Sequence, residues 1–547
     1  MGFLTKRVVV SLLGIAAYAS LTGVAVIQSW RHYELIGIFL RYAVLLPALV
    51  YGLRTPDAAA TASMPHRRST VLVCAFLAIA AVVSWRIGDG VTTTDESAYR
   101  FEALTLAAGE IVAPAPPGAP EGPADAPRPL RYPRHIVSRA GWYSMYPMGW
   151  PAVLAFPERM HLGWLVNPLL GALLLAITGL AAREACGPAT VLPAVAMMAL
   201  SPYVLGNSVG RMSHALTAVL VASASVLCIQ GLKTGKLSRF GWMFLLLVAT
   251  FHVRPLTAFV ASVVLGLGAL IGTRTRRALC VRVAALAATA AILAVATILL
   301  YNWRVTGHAL VSPFALSRGL IPREVVVTVP LLVSNLESVW RFSLQSTILY
   351  CFPFLVPLAI YKFWASRPKS VVPWILAMLP CALALAYLVE PDGSFSITGE
   401  RYWFEGYFGI VVLAAEGLTL LLSAWRSDRR AVTAVAIGLM TTQLVMMAAA
   451  ATKLDRASLP RREMARLAET YLNCGCVVYL ADTPPAFYGE HMNLNGADWP
   501  SAGVFYAVDP GPNERAKWAG ILHKGRWVVL KYDAQRSVAE VDAAGAL

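Results

Sequence analysis

Charged residues are scarce in this sequence of 547 residues. Asp, Glu, Lys and Arg make up only 14% of it, whereas apolar residues make up 57%. The mean hydropathy is accordingly high, at +0.61. A water-soluble protein of this length needs far more polar surface than this composition provides. The composition therefore excludes a soluble globular protein and predicts a chain that crosses a membrane several times.

Acidic residues are the scarcer of the charged residues, with 30 against 46 basic ones and a formal net charge of +16. Such an excess can indicate a nucleic-acid-binding protein. Here, however, the basic residues lie in short clusters between apolar runs, such as Lys233, Lys236 and Arg239. That arrangement is typical of cytoplasmic loops that follow the positive-inside rule. We therefore predict no nucleic-acid partner.

Several motifs are also missing from the sequence. Its eight cysteines show no metal-binding spacing, and the tail has neither a phosphate-binding glycine motif nor a catalytic triad. No internal repeat is visible, which argues against a transporter built from two matching halves. Cys474 and Cys476 could form a strained disulfide if the tail is exported. Four cysteines fall in apolar runs, where a small apolar role is expected: Cys74, Cys228, Cys351 and Cys381.

Apolar runs of roughly 20 residues, the length needed to span a membrane, recur along the chain. We interpret the first run as a span and not as a cleaved signal peptide, because it is long and lacks a small-residue cleavage site. The pattern predicts about 13 spans if one hairpin is counted as two. In order they are Arg7–Gln28, Glu34–Leu53, Ser69–Gly88, His161–Ala182, Pro188–Asn207, Ser213–Leu232, the hairpin Phe240–Gly272, Val283–Tyr301, Thr347–Trp364, Val371–Val389, Glu405–Trp425 and Ala431–Ala451.

The predicted hairpin is interrupted by His252-Val253-Arg254-Pro255. It lies between two basic clusters, so the positive-inside rule requires both of its ends in the cytoplasm. Proline ends or kinks a helix near the preceding residue. The hairpin tip, with His252 and Arg254, is therefore expected near the outer face. An arginine at membrane depth usually has a partner or a function.

The sequence predicts two domains. Residues 1–452 form a transmembrane domain with long external loops at 89–151 and 302–346. The first loop carries seven prolines between residues 113 and 129, which predicts a flexible or polyproline-like tether. Residues 453–547 are expected to form a small external α/β domain that acts as a lid or docking module. Its predicted elements are the strands Cys476–Leu480, Gly503–Val508 and Trp527–Lys531 and the helix Pro512–His523.

The predicted topology gathers polar residues on the outer side of the membrane. A carboxylate there can remove a proton from an acceptor, and arginines can hold a phosphate through charge-assisted bonds. Apolar spans can hold a lipid chain. This combination predicts glycosyl transfer from a polyprenyl-phosphate sugar, and a single displacement would invert the anomeric centre. The residues concerned are Asp95, Glu96, Arg211, His214, His252, Arg254, Glu400, Arg401 and Tyr402.

Four short motifs carry a resemblance to a known family. They are Asp95-Glu96-Ser97-Ala98-Tyr99-Arg100, Tyr146-Pro147-Met148-Gly149-Trp150-Pro151, Arg254-Pro255 and Arg401-Tyr402. In their order and common membrane side, they resemble the GT-C superfamily of polytopic glycosyltransferases. The branch they match is that of protein O-mannosyltransferases and lipid A aminoarabinose transferases. This chain departs from that branch in two respects: two spans precede the span that leads into the acid loop, and the loop carries the proline-rich insert.

The resemblance implies that Asp95 is the catalytic base, with Glu96 in support, and that Arg254 and Arg401 bind the donor phosphate. We add Arg211 and His214 as further phosphate-binding candidates from their position. The expected substrate cavity is lined by Tyr99, Arg100, Tyr146, Tyr402 and Glu400. Some relatives use a divalent cation. The acid pair could bind one, but the sequence shows no clear ligand set.

The expected partners are the lipid bilayer, a polyprenyl-phosphate sugar donor and an acceptor that is a lipid, a glycan or a protein. An alanine-rich composition with more arginine than lysine is typical of a high-GC bacterium. We therefore expect the inner membrane, with the site and the tail on the periplasmic side. Three alternatives remain open: a transporter or flippase of a lipid-linked sugar, a non-catalytic scaffold, and an oligosaccharide transferase with a diphosphate donor.

Overall fold

A computed structural model gives the fold of most of the chain. It describes residues 67–88, 93–122, 125–317, 336, 351–352, 354–366, 368–389, 395–396, 399–424, 429–484 and 488–546. The first two predicted spans, Arg7–Gln28 and Glu34–Leu53, lie outside the described residues. So does most of the predicted external loop 302–346.

The described chain is mainly helical. Six of its helices are long and apolar enough to cross a membrane, which is the pattern of a multi-pass membrane protein. The helices up to the second long loop are α1 (Arg67–Ile87), α2 (Thr94–Ala107), α3 (Gly149–Arg159), α4 (Gly163–Cys186), α5 (Val191–Ala199), α6 (Pro202–Asn207), α7 (His214–Thr234), α8 (Leu237–Phe251), α9 (Pro255–Thr273), α10 (Arg277–Thr306) and α11 (Pro313–Ser317). The later helices are α12 (Leu355–Ser366), α13 (Val372–Ala386), α14 (Tyr407–Ala424), α15 (Arg429–Glu469) and α16 (Arg515–Ile521).

The predicted single span Pro188–Asn207 is wrong in one respect, because the structure breaks it into α5 and α6. Pro202 occupies the first turn of α6, where the missing N–H does no harm. The Ser201 hydroxyl caps the new helix by accepting a hydrogen bond from the Val204 N–H at 3.4 Å. Neither piece is long enough to cross a bilayer alone. The total of about 13 spans remains a prediction.

The predicted hairpin is confirmed. Helix α8 ends at Phe251 and α9 begins at Pro255, so the turn between them carries His252 and Arg254. Proline at the first position starts α9 and cannot continue α8. The hairpin tip reaches the same end of the helix bundle as the start of α2, because Arg254 hydrogen-bonds Ser213, which also contacts Tyr99.

Small buried residues let the central helices pack closely. Helix α7 is among the most buried and lies against α4, α8 and α9. Its interior face includes Ala215, Ala218 and Ala222, each fully buried. Small side chains at helix interfaces allow close van der Waals packing between membrane helices. Helix α7 therefore lies at the centre of the helix bundle.

The tail folds as predicted, with one addition. Two short hairpins precede the tail in the chain: β1 (His135–Ser138) with β2 (Gly141–Ser144), and β3 (Phe395–Ser396) with β4 (Gly399–Glu400). The strands of the tail are β5 (Cys476–Leu480), β6 (Val504–Val508), β7 (Arg526–Asp533) and β8 (Val538–Ala546). The sheet order is β6-β5-β7-β8, and only β8 is antiparallel to its neighbour. The sequence did not reveal β8, because its alanines and acids are poor strand formers. A disulfide joins Cys474 and Cys476.

The proline-rich loop is packed against the tail, so its prediction as a tether is wrong. Within the proline-rich stretch itself, the Pro114 carbonyl accepts a hydrogen bond from Nε1 of Trp499 at 3.0 Å. Trp142 is fully buried, with its ring centroid 4.7 Å from that of Phe101 in α2 and 6.1 Å from that of Phe505 in β6. The Tyr132 hydroxyl donates a hydrogen bond to the Tyr506 carbonyl at 3.0 Å. The prolines prevent helix formation but leave apolar and aromatic surface. That surface is buried in a core shared with the C-terminal sheet.

Replacing Trp142 with alanine tests this shared core. Trp142→Ala leaves a cavity among α2, the first loop and the sheet, and we expect a loss of about 3–5 kcal/mol of stability. The measurement is the thermal unfolding midpoint in detergent, together with the rate at which protease releases the tail. Trp303→Ala, at a 58% exposed position of α10, is the matched control. Equal effects of the two variants would contradict a core shared by the loop and the tail.

Candidate active site

The acid pair lies in the first turn of α2. Thr93 caps this helix, since its hydroxyl accepts a hydrogen bond from the Glu96 N–H at 3.4 Å. Carboxylates are favourable at a helix N-terminus because the helix dipole is positive there. Asp95 and Glu96 are nevertheless buried, with 6% and 2% of their surface exposed. Buried carboxylates need specific partners, and the two residues find different ones.

Asp95 lies between two guanidinium groups that come from distant parts of the chain. Its Oδ2 atom is 3.0 Å from Nη1 of Arg401, and its Oδ1 atom is 3.3 Å from Nε of Arg134. The Tyr146 hydroxyl also donates a hydrogen bond to Oδ1 at 2.6 Å. Burial alone would raise the pKa of the Asp95 carboxyl. Arg401, the hydrogen bond from Tyr146 and Arg134 outweigh this and lower the pKa below its ordinary value, so Asp95 is ionised at neutral pH.

A second buried acid, Glu405, orients the predicted phosphate-binding residues Arg254 and His214. Its Oε1 atom is 2.9 Å from Nδ1 of His214 and 3.2 Å from Nε of Arg254. Arg254 also donates a hydrogen bond from Nη2 to the Tyr387 hydroxyl at 3.0 Å. Glu405 is fully buried, and the Arg254 side chain remains 13% exposed. The guanidinium of Arg254 is thus held in one orientation beside accessible space.

Tyr402 connects the two groups of charges. Its ring stacks on that of Tyr387 with centroids 4.3 Å apart. The guanidinium carbons of Arg254 and Arg401 lie 5.7 and 5.5 Å from the Tyr402 ring centroid, within cation–π range. The three arginines at residues 134, 254 and 401 outnumber the two carboxylates at residues 95 and 405. These five groups together carry one excess positive charge, which an anionic phosphate would compensate.

Glu96 points away from this cluster. Its Oε1 atom accepts a hydrogen bond from the Arg211 backbone N–H at 3.2 Å. The neighbouring Gly210 has a φ of +72°, and a Cβ atom there would lie 2.4 Å from the Glu96 carboxylate. Only glycine suits such a close approach. Glu96 therefore fixes α2 to the loop before α7, and its predicted catalytic support of Asp95 stays a prediction.

The structure does not bring Arg211 and Arg100 into the Asp95 cluster. Both face Glu158 of α3. Nε of Arg211 lies 2.5 Å from Oε1 of Glu158, and Nε of Arg100 lies 3.7 Å from Oε2. Glu158 is buried, and a buried carboxylate attracts whichever cations are nearest. Arg211 also donates a hydrogen bond to the Gly88 carbonyl at 2.8 Å. The phosphate-binding role predicted for Arg211 and the cavity role predicted for Arg100 thus find no support in their contacts.

The predicted cavity tyrosines do meet at the cluster. The Tyr99 hydroxyl shares a hydrogen bond of 3.1 Å with the Ser213 hydroxyl, and the rings of Tyr99 and Tyr146 have centroids 4.5 Å apart. Glu400 belongs to strand β4, and its side chain lies outside the part of the chain that the structure describes. Its cavity role remains a prediction.

Sequence reasoning missed three residues of the cluster: Arg134, Tyr387 and Glu405. Glu405 had a usable signal, because an acid at the start of an apolar span is costly unless it has a partner. Arg134 gave no separate signal, because it lies among other basic and aromatic residues such as Arg131, Tyr132 and Arg139. The Arg134 backbone adopts a φ of +69°, which no sequence motif predicts. Tyr387 gave no signal beyond its place at the end of a predicted span.

The described residues contain no group of three or more His, Cys, Asp or Glu side chains placed to hold a metal ion. Both carboxylate oxygens of Asp95 are instead occupied by cations of the protein.

Comparisons with solved structures identify the fold. ArnT from Cupriavidus metallidurans in the apo state matches with 12% identity and a TM-score of 0.52, over 85% of this chain and 94% of that protein. The same ArnT bound to undecaprenyl phosphate matches with 13% identity and a TM-score of 0.49, over the same shares of the two chains. The oligosaccharyltransferase of Archaeoglobus fulgidus in the apo form matches with 13% identity and a TM-score of 0.40, over 71% of this chain.

The chain spans only 56% of the length of that archaeal enzyme. No protein-family model matches the sequence, and no curated protein matches it either. At these identities the similarity concerns the fold alone.

A buried acid two turns after Asp95 generates a prediction about pH. Glu102 is fully buried, and its Oε2 atom accepts a hydrogen bond from the Ser144 N–H at 2.9 Å. Burial raises the pKa of Glu102 to about 8, although the bond from Ser144 acts in the opposite direction. Folded Glu102 therefore keeps a proton that the unfolded chain loses near its ordinary pKa of 4.5, so stability falls as pH rises between these values.

Glu102→Gln should remove this pH dependence, because the amide carbonyl can still accept the hydrogen bond from Ser144. We expect the variant and the wild type to unfold alike at pH 5, and the variant to be the more stable at pH 8. The measurement is the thermal midpoint in detergent across this range. Glu110→Gln, at an exposed acid just after α2, is the control. Parallel curves for Glu102→Gln and wild type would contradict a buried, protonated Glu102.

The long apolar helices, the shared architecture with ArnT and the small C-terminal sheet domain together show that this chain has the GT-C fold of polytopic membrane proteins.

Proposed function

We propose that this protein is a membrane glycosyltransferase that moves a sugar from a polyprenyl-phosphate donor to an envelope acceptor. The observation that carries the proposal is the Asp95 carboxylate, buried and ionised between Arg401 and Arg134, with Arg254 close by. This reaction requires a general base and a group that binds the donor phosphate. Both lie at the ends of apolar helices that can hold a lipid chain.

Arg254 and Arg401 are the proposed ligands of the donor phosphate. Arginine suits a phosphate because its planar fork can form two parallel charge-assisted hydrogen bonds. Glu405 and Tyr387 fix the orientation of the Arg254 guanidinium. This supports the role, because a preorganised hydrogen-bond donor need not reorient during the reaction. The leaving phosphate keeps the electron pair of the broken anomeric C–O bond, and the two guanidinium groups stabilise its charge.

Asp95 is the proposed base. The acceptor hydroxyl or amine attacks the anomeric carbon and transfers its proton to an oxygen of Asp95. Oδ1 already accepts a hydrogen bond from the Tyr146 hydroxyl, so this oxygen can also accept one from an acceptor hydroxyl that displaces Tyr146. One direct displacement exchanges the acceptor for the phosphate and inverts the anomeric configuration.

The proposed location is the inner membrane of a bacterium, with the active site and the C-terminal domain on the periplasmic side. The distribution of basic residues supports this orientation. Arg274, Arg276 and Arg277 follow α9, at the end opposite to the Asp95 cluster. Lys233 and Lys236 lie at the corresponding end of α7.

Asp95→Asn tests the proposed base. The amide keeps the size of the side chain but cannot accept the proton, so kcat should fall by about 10²–10⁴-fold. The measurement is sugar transfer from a radiolabelled polyprenyl-phosphate sugar by purified protein in lipid nanodiscs. Asp498→Asn, in an ordered loop of the C-terminal domain, is the control and should retain activity. Unchanged turnover in Asp95→Asn would remove Asp95 from the mechanism.

Arg254→Lys and Arg401→Lys test the proposed phosphate site. Lysine keeps the charge but loses the planar fork, and one lost charge-assisted hydrogen bond of about 1.5–3 kcal/mol corresponds to roughly a 10- to 100-fold loss of kcat/KM for the donor. The matched control is Arg304→Lys, at an exposed position of α10. The KM for the acceptor should stay within about twofold. An effect on the acceptor alone would contradict the assignment.

A further inference from the structure

A cavity of about 350 Å³ lies between the first external loop and the C-terminal domain. Its polar lining comes from three separate parts of the chain. The loop contributes two arginines and a histidine, α11 contributes a serine, and the C-terminal domain contributes a glutamate. These residues are Arg131, Arg134, His135, Ser317 and Glu490.

Arg134 connects this cavity to the proposed base. It lines the cavity, and its Nε atom lies 3.3 Å from Oδ1 of Asp95. The other carboxylate oxygen, Oδ2, faces Arg401, which belongs to the proposed phosphate site. The Asp95 carboxylate thus faces the proposed phosphate site through Oδ2 and, through Oδ1, an arginine that lines the cavity.

In a direct displacement, the acceptor attacks the anomeric carbon from the side opposite to the departing phosphate. If the phosphate lies against Arg254 and Arg401, the acceptor must come from the side of Arg134. We propose that the cavity is the acceptor site, that it takes a hydroxyl-rich carbohydrate headgroup, and that Glu490 of the C-terminal domain helps to select it. This inference rests on the glycosyl-transfer function proposed above.

The lining favours a carbohydrate. Arg131 is exposed, and its Nε atom donates to the Ala126 carbonyl at 3.1 Å. The other guanidinium N–H groups can meet a ligand, since they make no hydrogen bond within the part of the chain that the structure describes. The Glu490 side chain is 40% exposed and can accept hydrogen bonds. Sugar hydroxyls both donate and accept, so they can use both kinds of partner. The volume is at the small end of the range for ligand cavities and fits a compact headgroup.

The C-terminal domain is fixed relative to the base. The Asn493 N–H donates a hydrogen bond to the Ser97 hydroxyl at 2.9 Å, and Ser97 lies two residues after Asp95 on α2. Asn493 follows Glu490 by three residues. The distance from Glu490 to the reacting centre is therefore set by a short, hydrogen-bonded connection, as a specificity-determining residue requires.

The test uses the purified full chain in nanodiscs with a labelled polyprenyl-phosphate sugar as donor. The acceptors are a set of octyl glycosides and, separately, a serine-containing peptide. Release of the sugar to water without acceptor reports on donor cleavage alone. The variants are Glu490→Gln and Arg131→Gln, both at side chains exposed enough to change without unfolding. Glu514→Gln, on the surface of the same domain in an exposed pair with Lys517, is the control.

We expect transfer to at least one octyl glycoside, with KM for that acceptor raised at least fivefold in Glu490→Gln and Arg131→Gln. Cleavage of the donor in water and the KM for the donor should stay within about twofold, and Glu490→Asp should restore part of the affinity. Unchanged acceptor KM in both variants overturns the site, and transfer to the peptide alone, or to neither acceptor, overturns its carbohydrate class. Absence of any donor cleavage in the wild type would instead contradict the proposed function itself.

Discussion

The ion pair between Asp95 and Arg401 is the interaction on which the rest of the site depends. A buried carboxylate is expensive unless cations and hydrogen-bond donors surround it. Here one oxygen faces Arg401, and the other faces Arg134 and Tyr146. If these partners were absent, burial would raise the pKa of Asp95 and keep it protonated. The arginines therefore hold a base ionised in a place from which water is largely excluded.

The fold brings these groups together by arranging helix ends. Asp95 lies at the start of α2, His214 at the start of α7, and Arg254 just before α9. Each helix begins at the same end of the bundle, so residues far apart in sequence become neighbours. Glu405 then pairs with both Arg254 and His214, which links α7, the α8–α9 turn and α14. Burial of the Glu405 carboxylate is costly, and the contacts with Arg254 and His214 offset part of that cost.

Much of this arrangement could be predicted from the sequence. The break at Arg254-Pro255 and the acid pair after an apolar run follow from proline chemistry and from the high cost of charge near a membrane. The sequence did not show which buried acid each arginine contacts. Arg211 was expected to bind phosphate and Arg100 to line the substrate cavity, whereas both contact the buried Glu158. Spacing along the chain does not reveal which buried acid a given arginine will meet.

The proline-rich loop shows the same limit for packing. Its composition correctly excludes helix and central strand, but composition could not show that Trp142 and Tyr132 are covered by a sheet more than 300 residues away. The domain boundary expected at residue 453 likewise falls inside the continuous helix Arg429–Glu469. Long-range burial depends on the tertiary arrangement of surfaces, and local patterns carry little information about it. The C-terminal sheet therefore shares one hydrophobic core with the first long loop.

The most direct test of glycosyl transfer is mass spectrometry of the lipids and glycans of cells that lack the gene, compared with cells that carry it. The account predicts that the deletion accumulates one polyprenyl-phosphate sugar and that one envelope glycan or glycolipid loses a mass equal to that same sugar. An unchanged glycan profile, or a lost sugar without accumulation of its lipid-linked form, would contradict it.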